Sequence, residues 1–326
     1  MRLSLCLNWS AADRPPAGSA KVERRLAAMG TSLAITVSAG DRAVALEASE
    51  KAVREIARVE DALTTWRPGG PLYALNAAPA GSPVALPPEI SAVLAAVFEW
   101  SRRTDGAFDP TVLPLVSAWD LRGRGRVPSS ADLARALVAT GTARFRLGTA
   151  GAARLHPSSG IDEGAWGKGY ALDRAAAALR EAGVRGAVLD LGGQILAIGK
   201  AEVAIADPRD RARAAATLEA DNQSVSTSGN SERGISVGGR RVGHLLDPRT
   251  GRPAPDFGSA TVVAPSGLSA DVLSTAFFVA GPEKGLELSQ RLRREGFDNE
   301  VLYLIPRNGG VERLASPGLK FRTEEE

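Results

Sequence analysis

Cysteine occurs once in this chain of 326 residues, at Cys6, and histidine twice, at His156 and His244. A single cysteine forms no intrachain disulfide and no cysteine-based metal site. Two histidines nearly exclude a multi-histidine zinc centre. Excess charge of one sign is also lacking. The 40 Lys and Arg residues are interspersed with 37 Asp and Glu, leaving a net charge of +3, so no nucleic-acid surface is indicated. The apolar run Met1 to Leu7 is broken by Asn8, Trp9 and Asp13. It is too short for a secretory signal core and far too short to span a bilayer. The expectation is a chain with no convincing export signal, cytoplasmic or periplasmic and inner-membrane-associated, with a start site upstream as the alternative.

What is present is an ordinary globular composition, 44% apolar and 24% charged, which argues against wholesale disorder. Residues 1–21 read as a flexible lead-in, 22–315 as the domain, and 316–326 as a polar, frayed tail. Alternation predicts a strand over Thr31 to Ser38. Val44, Ala48, Ala52, Ile56, Val59 and Leu63 predict a helix over Asp41 to Thr64. Further helices are predicted from Pro88 to Arg103, Ser130 to Ala139, Tyr170 to Glu181 and Pro282 to Glu295. Strands are predicted at Gly186 to Leu191, Ile195 to Ile198, Val203 to Ala206, Ala214 to Leu218, Gln223 to Ser226, Ser259 to Ala264 and Val301 to Ile305. Asp105 to Trp119 and Gly160 to Gly169 have no clean period and read as loops. The order is α+β: a single compact, two-lobed domain with mixed β-structure flanked by helices.

Chemistry concentrates in a few segments. In Leu268-Ser269-Ala270-Asp271-Val272-Leu273-Ser274-Thr275, an acid and a hydroxyl lie four residues apart in an otherwise apolar helix. They share one face, and a carboxylate with a hydroxyl oxygen suits a hard cation such as Mg²⁺. The bland alternative is that Ser269 caps the helix and Asp271 favours its dipole. Asp162 to Tyr170 is a glycine-rich lead into a helix, where Lys168 adds a point charge for a phosphate. It matches neither a Walker A loop nor GxGxxG. Asp190, ahead of Gly192-Gly193, reads as a hydrogen bond to a turn. Ser226-Thr227-Ser228-Gly229-Asn230 cradles a phosphate or bends a hairpin. His244, before the Asp247-Pro248 turn, is a proton-transfer or phosphate-contact candidate, or a structural histidine.

Together these pieces resemble the ApbE family, the FAD:protein FMN transferases. The resemblance rests on Met29-Gly30-Thr31, Trp66-Arg67-Pro68 with Leu75-Asn76, Gly106-Ala107-Phe108-Asp109-Pro110, Asp162 through Tyr170, and Asp190-Leu191-Gly192-Gly193. It continues through Thr227-Ser228-Gly229, His244 through Gly251, and Ala270-Asp271 with Thr275. It implies an enzyme that binds FAD and Mg²⁺ and transfers FMN to a Thr or Ser hydroxyl of an acceptor protein, releasing AMP. The acceptor it implies belongs to a redox or respiratory membrane complex. Its metal site maps to Asp271, Thr275, Ser274 and a backbone oxygen near Ala165. Its flavin site maps to Met29, Trp66, Ala107, Phe108, Asp109, Asp162, Lys168, His244 and Leu245. Asp271 or His244 takes the acceptor proton, and Lys168 shares the phosphate charge. Gly69-Gly70 replaces the family's usual Asp-Ser pair, and Glu163-Gly164-Ala165-Trp166 is bulkier and more acidic than usual. The family's exported lipoprotein leader is missing. An FAD pyrophosphatase and a non-catalytic flavin-binding protein are the competing readings.

Overall fold

Along the strand Glu300–Arg307, Val301, Tyr303 and Ile305 enter one apolar cluster, and Leu302 and Leu304 enter another. Successive side chains of a strand point to opposite faces, so this strand is buried on both sides. The computed structural model describes residues 20–149, 151–230, 234–237 and 240–323. Cys6, the lead-in up to residue 19 and the last three tail residues lie outside the described residues.

The strand belongs to an eight-stranded sheet. Its order is Ala20–Ala28, Thr31–Ala39, Gly186–Leu191, Gln194–Ile198, Ser224–Gly229, Ser259–Ala264, Glu300–Arg307 and Gly310–Ala315. Every neighbouring pair is antiparallel. Among the described residues eight α-helices follow in chain order: α1 (Arg42–Leu63), α2 (Pro71–Ala77), α3 (Pro88–Arg103), α4 (Leu113–Ala118), α5 (Ser130–Ala139), α6 (Gly167–Glu181), α7 (Gly267–Ala280) and α8 (Pro282–Arg294). Ile56 of α1, Leu172 of α6, Phe277 of α7 and Leu292 of α8 join the core on one face of the sheet. The other face is covered by a three-stranded sheet of Lys200–Ala206, Ala214–Asp221 and Phe321–Arg322. A separate small cluster of Leu115, Ala118, Trp119, Ala136 and Leu246 forms beside α4 and α5.

Helix α7 packs against α6, α8 and the strands Ser224–Gly229 and Ser259–Ala264. It is apolar nearly all round, as a helix enclosed by other elements must be. Its N-terminus is closed by a capping box of Ser266 and Ser269. Asp173 on α6 adds a second closure, accepting from the backbone N–H groups of Gly267 at 2.6 Å and Leu268 at 2.9 Å.

The expected α+β class holds, as do the helices α3 and α5 and the strands Gly186–Leu191 and Ser259–Ala264 at their expected bounds. Four local expectations are corrected. Ala20 and Lys21 open the sheet strand Ala20–Ala28 rather than closing a lead-in, and the strand itself was not expected; it buries only Val22 fully, so its charged residues hide the alternation. It turns into Thr31–Ala39 through Met29 and Gly30, both at positive φ, the geometry that a two-residue hairpin requires. The stretch read as a loop after Asp105 contains α4, started by Pro114 in its first turn. Helix α6 begins at Gly167 rather than Tyr170, because Gly167 and Gly169 are buried packing positions inside the helix. Finally, the chain beyond Ser316 is not wholly a frayed tail. Ser316 is buried against Val301, and Phe321–Arg322 pairs with Thr217–Leu218.

Burial pushes the Asp173 carboxyl up to about 6, against the lowering influence of the Leu268 and Gly267 N–H groups. The folded protein therefore holds this proton more tightly than the unfolded chain. Between pH of about 4 and about 6, Asp173 binds a proton only when folded, so its contribution to stability falls as pH rises. Asp173→Asn removes that titration. Its stability relative to the parent is expected to improve by on the order of 2 kcal/mol between pH 4 and pH 7. Urea unfolding of both proteins at the two pH values checks this, and a difference independent of pH contradicts it.

Candidate functional site

The site is organised at the point where α6 and α7 touch. A Cβ on Gly169 would lie 2.1 Å from the Gly267 carbonyl oxygen, and one on Gly267 would lie 2.3 Å from that of Gly169. Only glycine at both positions allows so close an approach. The approach places Asp271, which is 3% exposed, against the first turn of α6. Its Oδ2 accepts from the Gly169 N–H at 3.0 Å, and its Oδ1 lies 3.1 Å from Lys168 Nζ. A lysine in a first helical turn opposes the helix dipole; the Asp271 carboxylate offsets that. The α6 N-cap, Trp166, supplies no side-chain cap. Asp271 therefore caps this end from the neighbouring helix, and the Lys168 ammonium beside it is the group suited to an anion.

Hydroxyl groups continue the site beyond Asp271. Ser274 Oγ lies 2.9 Å from Ser228 Oγ, donates to Ser226 Oγ at 3.2 Å, and donates to the Asp271 carbonyl at 3.0 Å. Thr275 Oγ1 is 3.4 Å from Ser228 Oγ. Thr227, between those serines, points to the opposite sheet face and meets Thr261 at 2.8 Å. The Ser226–Asn230 segment is thus mostly mid-sheet strand rather than turn. Its two inward serines meet Ser274 and Thr275 on α7. Among the described residues, no three His, Cys, Asp or Glu side chains form a metal cluster. The available donors are one carboxylate with neutral hydroxyl and backbone oxygens. That set fits Mg²⁺, which takes few protein carboxylates and completes its shell with water and substrate phosphates.

A second group lies just upstream of α6. Asp162 Oδ1 accepts from the Gly164 N–H at 2.8 Å, and its carbonyl accepts from Trp166 Nε1 at 2.8 Å. The Glu163 carboxylate accepts from Thr65 Oγ1 at 2.5 Å. Burial and the neighbouring Asp162 charge push Glu163 above the usual carboxylate range, while Thr65 and Arg122 oppose them. Trp66 stands 65% exposed above this group. Asn76 brackets Ile161 with two hydrogen bonds of 2.8 Å, and Asp162 N donates to the Pro110 carbonyl at 2.8 Å. The Ala107–Pro110 loop is thereby tied to the loop that opens α6.

The remaining expected residues fall around these two groups. Met29 sits at its hairpin tip, where its N–H donates to Glu60 Oε2 at 2.8 Å; its methyl lies beside Gly167. Ala107 and Phe108 have fully buried side chains in the main core, and their N–H groups donate to the Thr104 carbonyl and hydroxyl. Asp109 is occupied by Thr111, whose N–H and hydroxyl both donate to its Oδ1; burial raises its pKa above the usual range. Ala165 and Leu245 pack partly buried against the core. His244 is half-buried on the segment leading into Leu246–Asp247. Asp190 makes the expected turn bond, accepting from Gly193 N at 2.8 Å. Sequence reasoning missed Thr65, Arg122 and Asp173. Asp173 alone left a signal, an acid on the buried stripe of a helix.

The ApbE family profile matches residues 29–297, most of the chain. The chain belongs to the ApbE family. It is 29% identical over 308 residues to an FAD:protein FMN transferase of Salmonella typhimurium, covering 90% of this chain and 86% of the relative. A Klebsiella pneumoniae protein of the same name is 30% identical over 312 residues, covering 90% and 87%. The apo structure of a Pseudomonas stutzeri flavinyl transferase ApbE superposes with a TM-score of 0.80 at 29% identity, covering 92% of this chain and 95% of that one. An ApbE protein from Thermotoga maritima gives a TM-score of 0.82 at 29% identity, covering 91% and 97%.

The close crossing at Gly169 supplies a direct check. Gly169→Ala places a methyl group 2.1 Å from the Gly267 oxygen and 2.9 Å from Asp271 Cβ. Relief requires the helices to separate, which is expected to cost about 1–3 kcal/mol or more and to open the Asp271–Lys168 contact. Denaturant unfolding reads this, and an unchanged midpoint contradicts it.

Proposed function

We propose that this ApbE family protein is a Mg²⁺-dependent FAD:protein FMN transferase. It moves FMN from FAD onto a Thr or Ser hydroxyl of an acceptor protein and releases AMP. The observation that carries the reading is Asp271: a buried carboxylate beside a lysine in the first turn of α6, with hydroxyls on the adjoining strand and on its own helix. Such a site suits a pyrophosphate and a hard cation.

In the proposed reaction, the acceptor oxygen bonds to the phosphorus of the FMN half. The bridging P–O bond breaks, and AMP leaves with its electron pair. The hydroxyl proton goes to Asp271 or His244. Phosphoryl-type transfer is governed by positioning and charge neutralisation. Lys168 is suited to hold the pyrophosphate, with the first turn of α6 beside it. Asp271, Ser274, Thr275 and a backbone oxygen near Ala165 are the proposed Mg²⁺ ligands. A bound Mg²⁺ ion supplies Lewis-acid stabilisation of phosphate charge. Trp66 offers an aromatic face for a flavin or adenine ring, and Met29, Ala107, Phe108, Asp109, Asp162 and Leu245 border the proposed flavin site. The acceptor proposed from the family resemblance is a redox or respiratory membrane complex.

Mass spectrometry after incubation with FAD, Mg²⁺ and a Thr-containing acceptor domain tests the proposal. The expected result is a gain of one FMN on the acceptor, lost with EDTA and in Asp271→Ala. Lys168→Ala is expected to weaken FAD binding about tenfold or more, as loss of a charged hydrogen bond does. Free FMN and AMP without labelling would indicate a pyrophosphatase. Intact bound FAD with every acceptor tried would indicate a flavin-binding protein.

A further inference from the structure

Trp66 is an exposed indole with a guanidinium lying over its ring. Arg122 Cζ lies 4.4 Å from the centre of the Trp66 ring. Among the described residues, no large apolar side chain is more exposed than Trp66. An exposed tryptophan side chain does not keep one orientation unaided; something must hold it. Arg122 is itself firmly held. Its Nη2 donates to Asp162 Oδ2 at 2.5 Å and to Thr65 Oγ1 at 2.6 Å, and its Nη1 donates to the Thr65 carbonyl at 3.2 Å. Glu163 Oε2 lies 3.7 Å away. The Thr65 hydroxyl accepts from Arg122 and donates a 2.5 Å hydrogen bond to Glu163.

The arrangement joins three chain segments: the turn after α1 that carries Trp66, the turn after α4 that carries Arg122, and the loop that opens α6. Its centre is a planar fork with several donors, a geometry that lysine cannot reproduce. The two carboxylates are mostly buried, at 15% and 12% side-chain exposure, and the guanidinium keeps them from facing each other unbalanced.

The geometry points to Arg122 as a positioning residue that fixes Trp66 as a stacking wall for the planar heteroaromatic ring of the donor nucleotide. The inference rests on the flavin-transfer reading above. Arg122 occupies the inner face of the indole and leaves the outer face for the ligand ring. Because the same guanidinium holds Asp162, the wall and the start of α6 share one fixed reference.

The test is a double-mutant cycle on FAD binding by the whole protein, read as dissociation constant and as the flavin absorbance change on stacking. Trp66→Leu and Arg122→Met are each expected to weaken FAD about five- to tenfold. The double variant is expected to be no weaker than Trp66→Leu alone, because Arg122 acts through the indole. Arg122→Lys is measured alongside; it keeps the charge that balances the carboxylates, and it is expected to lose affinity as well. FMN and AMP titrated separately identify the ring, since only the one that stacks loses affinity. Unchanged affinity in both Arg122 variants, multiplicative losses in the double variant, or no loss with either half-molecule overturns the inference. Wild-type protein that does not bind FAD overturns the flavin-transfer reading itself, which separates the two failures.

Discussion

The contact between Gly169 and Gly267 is the constraint on which the rest of the site depends. Two backbones meet there without side chains between them, each carbonyl occupying the space a Cβ would need. Because of it, Asp271 on α7 reaches the first turn of α6 and accepts from a backbone N–H there. A carboxylate in this position stabilises a lysine that the helix dipole alone would repel. The two partners hold opposite charges at a point sheltered from water, where electrostatic interactions are strengthened. Asp173 secures the same crossing from the other direction, by capping α7 from α6.

The layered architecture explains why this crossing is rigid. The strands Gly186–Leu191, Gln194–Ile198, Ser259–Ala264 and Glu300–Arg307 place side chains in apolar clusters on both faces of the sheet, so each is pinned in two directions. Helix α7 is enclosed on nearly every side, and the strand Ser224–Gly229 lies directly beneath its hydroxyl-bearing face. A site built on enclosed elements keeps its geometry better than one built on loops. The loops are then fastened to it. Asn76 holds Ile161, Pro110 holds Asp162, and Arg122 holds both Asp162 and Thr65. Each uses hydrogen bonds between segments distant in sequence, which suits a site assembled from many short pieces.

That distance also explains what the sequence did and did not disclose. Asp271 and Thr275 were legible because they break an apolar helix at one-turn spacing, a local rule. Lys168 was legible from its glycine-rich setting, although the glycines serve helix packing rather than a turn. The strand Ala20–Ala28 was hidden because it exposes charge along most of its length. Helix α4 is only six residues long, too short for periodicity to emerge. Arg122 was invisible because its meaning lies entirely in partners 40 and 57 positions away. Thr65 was hidden in the same way, since its partner Glu163 is 98 positions distant. Local patterns gave most of the elements; the polar network that joins them is a tertiary property.

The central proposal is that Asp271 and Lys168, in contact at 3.1 Å, form one electrostatic unit that receives a cation and a pyrophosphate. Crystals of the protein soaked with FAD and Mn²⁺, examined by anomalous diffraction, test it most directly. The account predicts an anomalous peak at the Asp271 carboxylate beside the Ser274 and Thr275 hydroxyls, with the Lys168 ammonium moved onto the pyrophosphate. Manganese and FAD bound elsewhere, with the 3.1 Å Lys168–Asp271 contact unchanged, would contradict it.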